Sequence, residues 1–473
     1  MTLKSRVRRQ SQQLSQQARD LVARGLDHHV RLAVTGLSGA GKTAFNTALI
    51  DQLLHAADSH HLPFWQAWQS GRYLGAKLVA QPDWSIPRFD YEAALQRLTA
   101  TPSSWPQSTR GLSEIRLQLR STPKRRGLGR LLNQLQEVRN TTLDILDYPG
   151  EWLLDLPLLQ QSYAQWSEQQ RQLLQTAPRQ ALAKPWLSAA QQWLTTDSDS
   201  ALPHSDQHIR SLAQQFQQFL QECREQAGLY WLQPGRLLLP GELAGAPALA
   251  FFPWPLAAAP QNSVQQTLFE QLEKRYNYYC EQVVKPFYEQ HFLRFNRQIV
   301  LVDVLGALRR GEAAFDDLRF ALTQLMSSFA YGHNSLFKRL FSPTIERVLF
   351  VASQADQVTP DQHPALAELL EQLIQPARQR LRYDRIDHRV LSVAALRTTQ
   401  AGKVNQQQVL QGVQQGQSVT VDPGWVPNQL PQSKDWQQAF NYPCFDPVFS
   451  GASSPLPHIR LDQVIDYLLG DKL

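Results

Sequence analysis

A chain of 473 residues, 42% apolar and 10% aromatic, holds enough core-forming material for two or three packed units. Its net charge of +6 permits an acidic ligand without requiring nucleic acid, and glutamine carries much of the polar surface because charged residues are only 19%. Cys223, Cys280 and Cys444 are odd in number and widely spaced, which argues against a disulfide scaffold or a zinc site and for free, buried thiols in a reducing compartment.

The first stretch, SRVRRQSQQLSQQARDLVARGL (5–26), sets Val7, Leu14, Ala18, Leu21 and Val22 near one helical face behind a basic start at Lys4, Arg6, Arg8 and Arg9. This N-terminal unit, 1–26, reads as an amphipathic helix that packs on the body or docks on anionic lipid. It lacks the apolar run of a secretory signal. Next, RLAVTGLSGAGKTAFNTALI (31–50) reads as a strand over 31–35, a Gly-rich turn, and a helix over about 42–56. Residues 57–110, rich in Trp and Pro, read as irregular structure with short helices. SEIRLQLRS (113–121) alternates apolar and polar residues as a half-buried strand does. PKRRGLGR follows as a basic turn, and TTLDILDYPG (141–150) is another strand, stopped by Pro149-Gly150. The first part of the sheet domain is thus expected over 27–150.

Helical patterns dominate 151–293, which reads as an insertion. Its most apolar run, 235–260, is broken by Pro240, Pro247, Pro253, Pro255 and Pro260 and carries Glu242, so it is expected to be a loop packed on its own core and not a membrane span. Strand patterns return over 294–473 in RQIVLVDVL (297–305), ERVLFVAS (346–353) and HRVLSVAA (388–395), near-continuous apolar runs of the kind that parallel strands buried on both faces require. Helical patterns separate them. The alternation predicts an α/β fold with a mostly parallel sheet. Residues 399–455, with QSVTVDPG, read as a small β excursion, and IRLDQVIDYLLGDKL as an amphipathic helix returning to the sheet.

Residues 36–43, GLSGAGKT, match G-x-x-x-x-G-K-[ST] at every fixed position and lie between strand and helix, as a P-loop requires. Backbone amides from Gly36 through Leu37, Ser38, Gly39, Ala40 and Gly41 into Lys42, Thr43 and Ala44 would cradle phosphate at a helix N-terminus. Lys42 is placed to neutralise the β- and γ-phosphates, and the Thr43 hydroxyl to ligate Mg²⁺. Ser38 is not a hydrolase nucleophile, since GLSGA lacks the final Gly of a nucleophile elbow.

A second metal partner is expected at a strand end. Asp147 in LDILDYPGEW fits, and with Gly150 it resembles the D-x-x-G element of GTPases, in which the Gly amide senses the γ-phosphate, the plain alternative being a Pro-Gly turn after a strand; Asp303 in VLVDV is the rival. Glu151 can orient the attacking water or act as general base, or can be a solvated carboxylate at a helix start. Thr109, before the 113–121 strand, is the candidate to close over the γ-phosphate and metal, with Arg110 beside it to stabilise charge. For the base, Ser353-Gln354-Ala355-Asp356 resembles the [NT]-K-x-D element, whose aspartate accepts hydrogen bonds from guanine, with Gln354 in place of lysine. Ala394, Ala395 and Leu396 in SVAALR resemble the turn whose amide meets guanine O6.

With RLAVTGLSGAGKTAF, IPRFDY, TRGLSEIRL, DYPGEWLLDLP, LPGELAGAPALAFFPWP, RFNRQIVLVD, LTQLMSSFAYG and LPHIRLDQVIDYLLGDKL, nearly the whole chain resembles the YcjX-like family of bacterial P-loop proteins, associated with stress. The resemblance implies a cytoplasmic, GTPase-like core with a large helical insertion, binding GTP and GDP with Mg²⁺. The family usually has Thr-Lys-Ala-Asp where this chain has Ser353-Gln354-Ala355-Asp356. The leading expectation is a slow GTPase acting as a stress-related switch. The alternatives are an ATPase of the same fold, or a non-catalytic scaffold whose insertion grips a protein partner or the inner-membrane surface.

Overall fold

The computed structural model describes residues 28–56, 61–122, 138–195, 206–329, 345–383, 386–449 and 455–473. The expected N-terminal helix over 5–26 and the basic turn PKRRGLGR lie outside the described residues.

Strand β1 (His28–Gly36) runs through a turn into helix α1 (Lys42–His55). The turn uses Gly39 and Gly41 at φ of 82° and 79°, a region that side chains rarely adopt. Strand β2 (Tyr73–Val79) and helix α2 (Tyr91–Thr99) follow, the latter capped by the Asp90 side chain accepting from the Ala93 amide. Then come β3 (Ser113–Ser121) and β4 (Arg139–Asp147), and an extended 3-10 segment over 150–160. The longer helices that come next are α3 (Tyr163–Leu173), α4 (Ala177–Thr195), α5 (Asp206–Glu225) and α6 (Ser263–Tyr279).

Strand β5 (Arg297–Val302) stops where Asp303 accepts a hydrogen bond from the Gly306 amide, capping helix α7 (Val304–Arg310). The strand expected to reach residue 305 therefore ends at 302: the apolar run continues, but the cap turns it. Beyond lie α8 (Glu312–Phe329), β6 (Arg347–Ala352), α9 (His363–Leu373), α10 (Gln375–Tyr383) and β7 (Asp387–Ser392). Three short strands, β8 (Gln400–Val404), β9 (Gln407–Gln414) and β10 (Gln417–Val421), precede helix α11 (Leu461–Leu469).

Among the described residues, seven strands form one sheet in the order β2-β3-β4-β1-β5-β6-β7. Strands β4, β1, β5, β6 and β7 are mutually parallel, while β3 is antiparallel to both β2 and β4. The three short strands form a separate antiparallel sheet, β10-β9-β8. Alternate side chains of the large sheet feed two apolar layers. Val30, Leu32 and Val34 of β1 join Phe45 and Leu49 of α1 and Leu461, Val464 and Leu468 of α11 on one face. Ala33, Leu146, Val300 and Phe350 join the aromatic core of residues 152–292 on the other, including Trp166, Phe216, Phe251 and Tyr276.

Strand β2 falls in the stretch expected to be irregular. It is an edge strand with one partner, Gly75 at φ of 133° interrupts it, and its register shifts between Tyr73 and Gly75. Cys223 and Cys280 are buried as expected, whereas Cys444 is exposed. The apolar run over 235–260 breaks into short turns with Phe251 and Phe252 fully buried, and no described helix is long and apolar enough to cross a membrane.

Candidate functional site

Parallel pairing brings the carboxyl ends of five strands into line: Val34 faces Asp147, Gly36 faces Leu301, and Ala352 lies beside both Val302 and Ser392. In open α/β sheets this is the edge at which ligands bind. A cavity of about 820 Å³ opens there. It gathers Ser38, Gly39, Ala40, Gly41, Lys42, Thr43 and Ala44 from the turn, Thr109 and Arg110 from the loop before β3, and Glu151. From the far side come Gln354, Asp356, Ala394, Ala395 and Leu396. Of the residues singled out in the sequence, Gly36, Leu37, Asp147, Gly150 and Asp303 stand behind this lining, not in it.

The Lys42 ammonium donates to the Gly36 carbonyl at 2.6 Å, folding the lysine back over its own turn. Leu37 is buried in the core and anchors the turn from below. Gly150 packs flat on the Gly36 carbonyl, so that a methyl group built at 150 would overlap that oxygen.

Asp147 is the deepest charged group of the site, 2% exposed. Its Oδ2 accepts from the Thr109 hydroxyl at 2.5 Å, and the Thr109 and Thr43 hydroxyl oxygens are 3.2 Å apart. Burial pushes the Asp147 carboxyl up to about 6, against the opposing pull of the Thr109 hydroxyl and the Lys42 charge. Asp147 Oδ1 and both polar atoms of the Asn46 amide are buried without a hydrogen-bond partner. Such orphans are rare in folded chains, and here they cluster with hard oxygen donors.

Glu151, 6% exposed, is the second residue of the 150–160 segment and lines the cavity. The segment is clamped from behind. Gly235 packs on the Glu151 carbonyl so closely that a side chain there would overlap it. The Asp155 carboxylate accepts from the Gly235 amide at 2.7 Å, the Arg236 amide at 3.2 Å and the Tyr279 hydroxyl at 2.6 Å. Trp152 carries the Arg236 guanidinium 3.2 Å above its ring centroid and donates its indole N–H to the Leu239 carbonyl at 2.8 Å.

On the far side, Asp356 Oδ2 accepts from the Thr398 amide at 3.0 Å and the Thr398 hydroxyl at 2.7 Å, which fixes the carboxylate at the wall of the cavity. Burial raises its pKa, and the Thr398 bonds oppose that rise. Gln354 sits in the left-handed region at φ of 59° and donates through Nε2 to the Gly39 carbonyl at 3.0 Å. Gln357 donates in turn to Gln354 Oε1. An amide chain thus ties the 353–357 loop to the Gly-rich turn. Asp303 stands beside Gly39 and Arg310, where burial raises its pKa against the Gly306 amide and the Arg310 and Arg309 charges. Its place is that of a helix cap.

The cavity also holds residues that sequence reasoning passed over: Trp105, Arg224, Leu239, Thr398 and Phe445. Asn46 was legible in principle, since it lies one helical turn after Lys42 on the face that meets Asp147. Arg224 lies in the last turn of helix α5, paired with Glu225 at 3.2 Å, and no local pattern marks it.

The sheet order, the Gly-rich turn at its carboxyl edge and the carboxylates around it define an α/β protein whose fold is consistent with that of P-loop NTPases. The model of the YcjX-like family, DUF463, matches residues 30–473. The chain belongs to that family. It is 45% identical over 469 residues to the Ras-like GTPase YcjX of Escherichia coli (strain K12), covering 96% of this chain and 98% of that protein. It is 41% identical over 486 residues to the Ras-like GTPase YcjX of Shewanella oneidensis (strain ATCC 700550 / JCM 31522 / CIP 106686 / LMG 19005 / NCIMB 14063 / MR-1), covering 97% of this chain and 98% of that one.

Proposed function

We propose that the chain is a Mg²⁺-dependent GTPase of the P-loop type, converting GTP and water to GDP and phosphate. The observation that carries this reading is the joining of two recognition elements in one cavity: Gln354 on the base side is hydrogen-bonded to Gly39 of the phosphate turn, with Asp356 fixed by Thr398 two residues further on. The names of the two relatives support the same reading.

Base choice follows from donor and acceptor chemistry. A carboxylate such as Asp356 accepts from the N1–H and exocyclic amine of guanine, whereas adenine presents a lone pair at N1 and would set an acceptor against the acid, leaving it with only its Thr398 donors. Gln354 takes the place of a lysine, its amide making the tie to Gly39 without a charge. The Ala395 and Leu396 amides are the candidates for the guanine carbonyl.

At the phosphate end, Lys42 would leave the Gly36 carbonyl for the β- and γ-phosphates, while the turn amides and the start of α1 receive the remaining oxygens. The Thr43 hydroxyl, with Asp147 through water and Thr109 from above, would hold the magnesium ion, and the orphaned Asp147 Oδ1 among hydroxyl donors fits that ion. Bound magnesium supplies the positive charge that neutralises the phosphate oxygens as the bond to the leaving group lengthens. In this reading the Gly150 amide would meet the γ-phosphate once the Gly-rich turn opens to receive it, and Glu151, which lines the cavity, would orient the attacking water. Arg110 and Arg224 are cavity-lining cations available to the same charge. We read 151–293 as the helical insertion and residues 399–455 as an excursion from the sheet domain. Catalysis would be mainly positioning and charge neutralisation.

The test compares binding of GDP and ADP, each with Mg²⁺, to the wild-type protein and to Asp356→Ala. Preference for GDP that collapses in the variant is expected. Equal binding, or an ADP preference that the substitution leaves untouched, would move the protein to the ATPase branch.

A further inference from the structure

Two aromatic rings line the same cavity without belonging to any phosphate or base element described above. Trp105 comes from the loop between α2 and β3, and Phe445 from the segment after the small three-stranded sheet, so that the two are 340 residues apart in sequence. They meet: the Trp105 indole N–H donates to the Phe445 carbonyl at 3.3 Å. The Trp105 loop also carries Thr109, held to Asp147 at 2.5 Å. It is pinned at the metal end of the cavity by one residue and across the cavity by the other.

Phe445 is seated by the small sheet. The Asp446 amide donates to the Val413 carbonyl at 2.8 Å, and the Asp446 carboxylate accepts from the Gly416 amide at 2.8 Å. Gln414 donates to the Cys444 carbonyl at 3.0 Å. The ring of Phe445 lies on Gly412 of β9, where an added Cβ would stand 2.6 Å from one ring carbon and 2.9 Å from another. Phe445 is 5% exposed, whereas Trp105 is 44% exposed, so one ring is fixed and the other stands at the mouth.

We infer that Trp105 and Phe445 form an aromatic clasp that holds the nucleoside part of the bound nucleotide, and that the small sheet exists in this fold to present the second ring. This rests on the nucleotide reading of the cavity. The chemistry selects which part of the ligand the rings meet. Phosphates are served by amides, Lys42 and hydroxyls, and an aromatic face offers an anion nothing, while a base or ribose is covered well by such a face. Because the Trp105–Phe445 bond joins these two loops across the cavity, its opening is a step in nucleotide release.

The experiment measures release of tritiated GDP from the full-length protein with Mg²⁺, using an unmodified ribose because a ribose-linked fluorophore would itself meet the rings. Trp105→Ala and Phe445→Ala are each expected to speed release about tenfold or more. Gly412→Val, which displaces the Phe445 ring without removing it, is expected to reproduce the Phe445→Ala effect. Inorganic tripolyphosphate, which has no nucleoside, should bind all three variants as it binds the wild type, and thermal melting follows whether each is folded. Release within about twofold of wild type in both alanine variants would overturn the inference, as would parallel loss of tripolyphosphate binding. Absence of GDP binding to the wild-type protein would instead overturn the functional reading, and this inference with it.

Discussion

Gly150 rests on the carbonyl of Gly36, the same oxygen that accepts the Lys42 ammonium at 2.6 Å. The strand-end segment after Asp147 and the Gly-rich turn are therefore in backbone contact, with no side chain between them. Behind Gly150, Gly235 makes the same kind of contact on the Glu151 carbonyl. A shift of the 150–151 backbone by even a fraction of an ångström must be felt at both surfaces, because neither contact has slack.

Gly150→Ala is expected to force the two loops apart, since its methyl group would overlap the Gly36 oxygen. Overpacking of this kind costs about 1–3 kcal/mol. The variant should unfold at lower urea concentration and bind GDP at least tenfold more weakly, because the seat of Lys42 moves. Wild-type stability and affinity together would show that the 150–160 segment retreats freely, and that the contact does not hold the turn.

Asp155 is the pin that keeps this segment against the residues around 235. Its carboxylate is fully buried and accepts three hydrogen bonds, from Gly235, Arg236 and Tyr279. Burial pushes its pKa up to about 6, with the Tyr279 hydroxyl and the two amides pulling the other way. Asp155→Ala would leave those donors without an acceptor, at about 1–3 kcal/mol each, so a loss of at least about 3 kcal/mol is expected. Tyr279→Phe removes a single donor along with its bond and should cost about 1 kcal/mol. Equal, small losses in the two variants by urea denaturation would refute the pin.

Glu114, at the start of β3 and outside the cavity lining, gives a pH dependence. Burial, then the Asp144 charge, push its carboxyl up from 4.5 to about 7, against Arg116 and Arg31, with the Asp83 charge adding to the rise. Asp144 itself is held by Arg116 at 2.5 and 2.7 Å and by His29 at 2.7 Å. Between the ordinary carboxylate range and pH 7, the folded chain keeps a proton on Glu114 that the unfolded chain has released. This contribution to stability is therefore full at acid pH and lost as pH rises through 7. Glu114→Gln should remove the loss, making the variant more stable than wild type by about 1–2 kcal/mol near pH 8 after allowance for solvent screening. The gap should close near pH 5. Urea midpoints at the two pH values check this, and a gap that does not change with pH would count against it.

What could be read in the sequence was local. GLSGAGKT lies with its strand and helix within the twenty residues 31–50, and the turn in the structure has Gly39 and Gly41 at positive φ. The apolar runs of β5 and β6 announced buried parallel strands because both faces are covered. Strand β2 gave no such signal, being half-exposed and broken by Gly75. Trp105, Arg224 and Phe445 reach the cavity from segments whose own patterns speak only of a loop, a Gln-rich helix and a Pro-rich tail. Their convergence is a property of the topology, and a single sequence has no spacing rule that expresses it. Asp356 was legible as a motif, but its partner Thr398 was not, because the bond spans 42 residues.

Glu151 separates binding from turnover. It lines the cavity from the residue after Gly150, and the Gly235 contact fixes its backbone. A group that only positions water contributes to the transition state and little to the ground state. Glu151→Gln, which keeps an oxygen to orient water but cannot take its proton, and Glu151→Ala, which keeps neither, should both bind GTP as tightly as wild type. If Glu151 orients water, the glutamine variant retains most of the turnover and alanine loses about a hundredfold, within the range of one positioned acid–base group. If it removes the proton, both lose that much. Single-turnover hydrolysis at saturating GTP and Mg²⁺ reads the difference. Unchanged rates in both variants would remove Glu151 from the mechanism and leave Arg110 and Arg224 as the remaining cavity groups to examine.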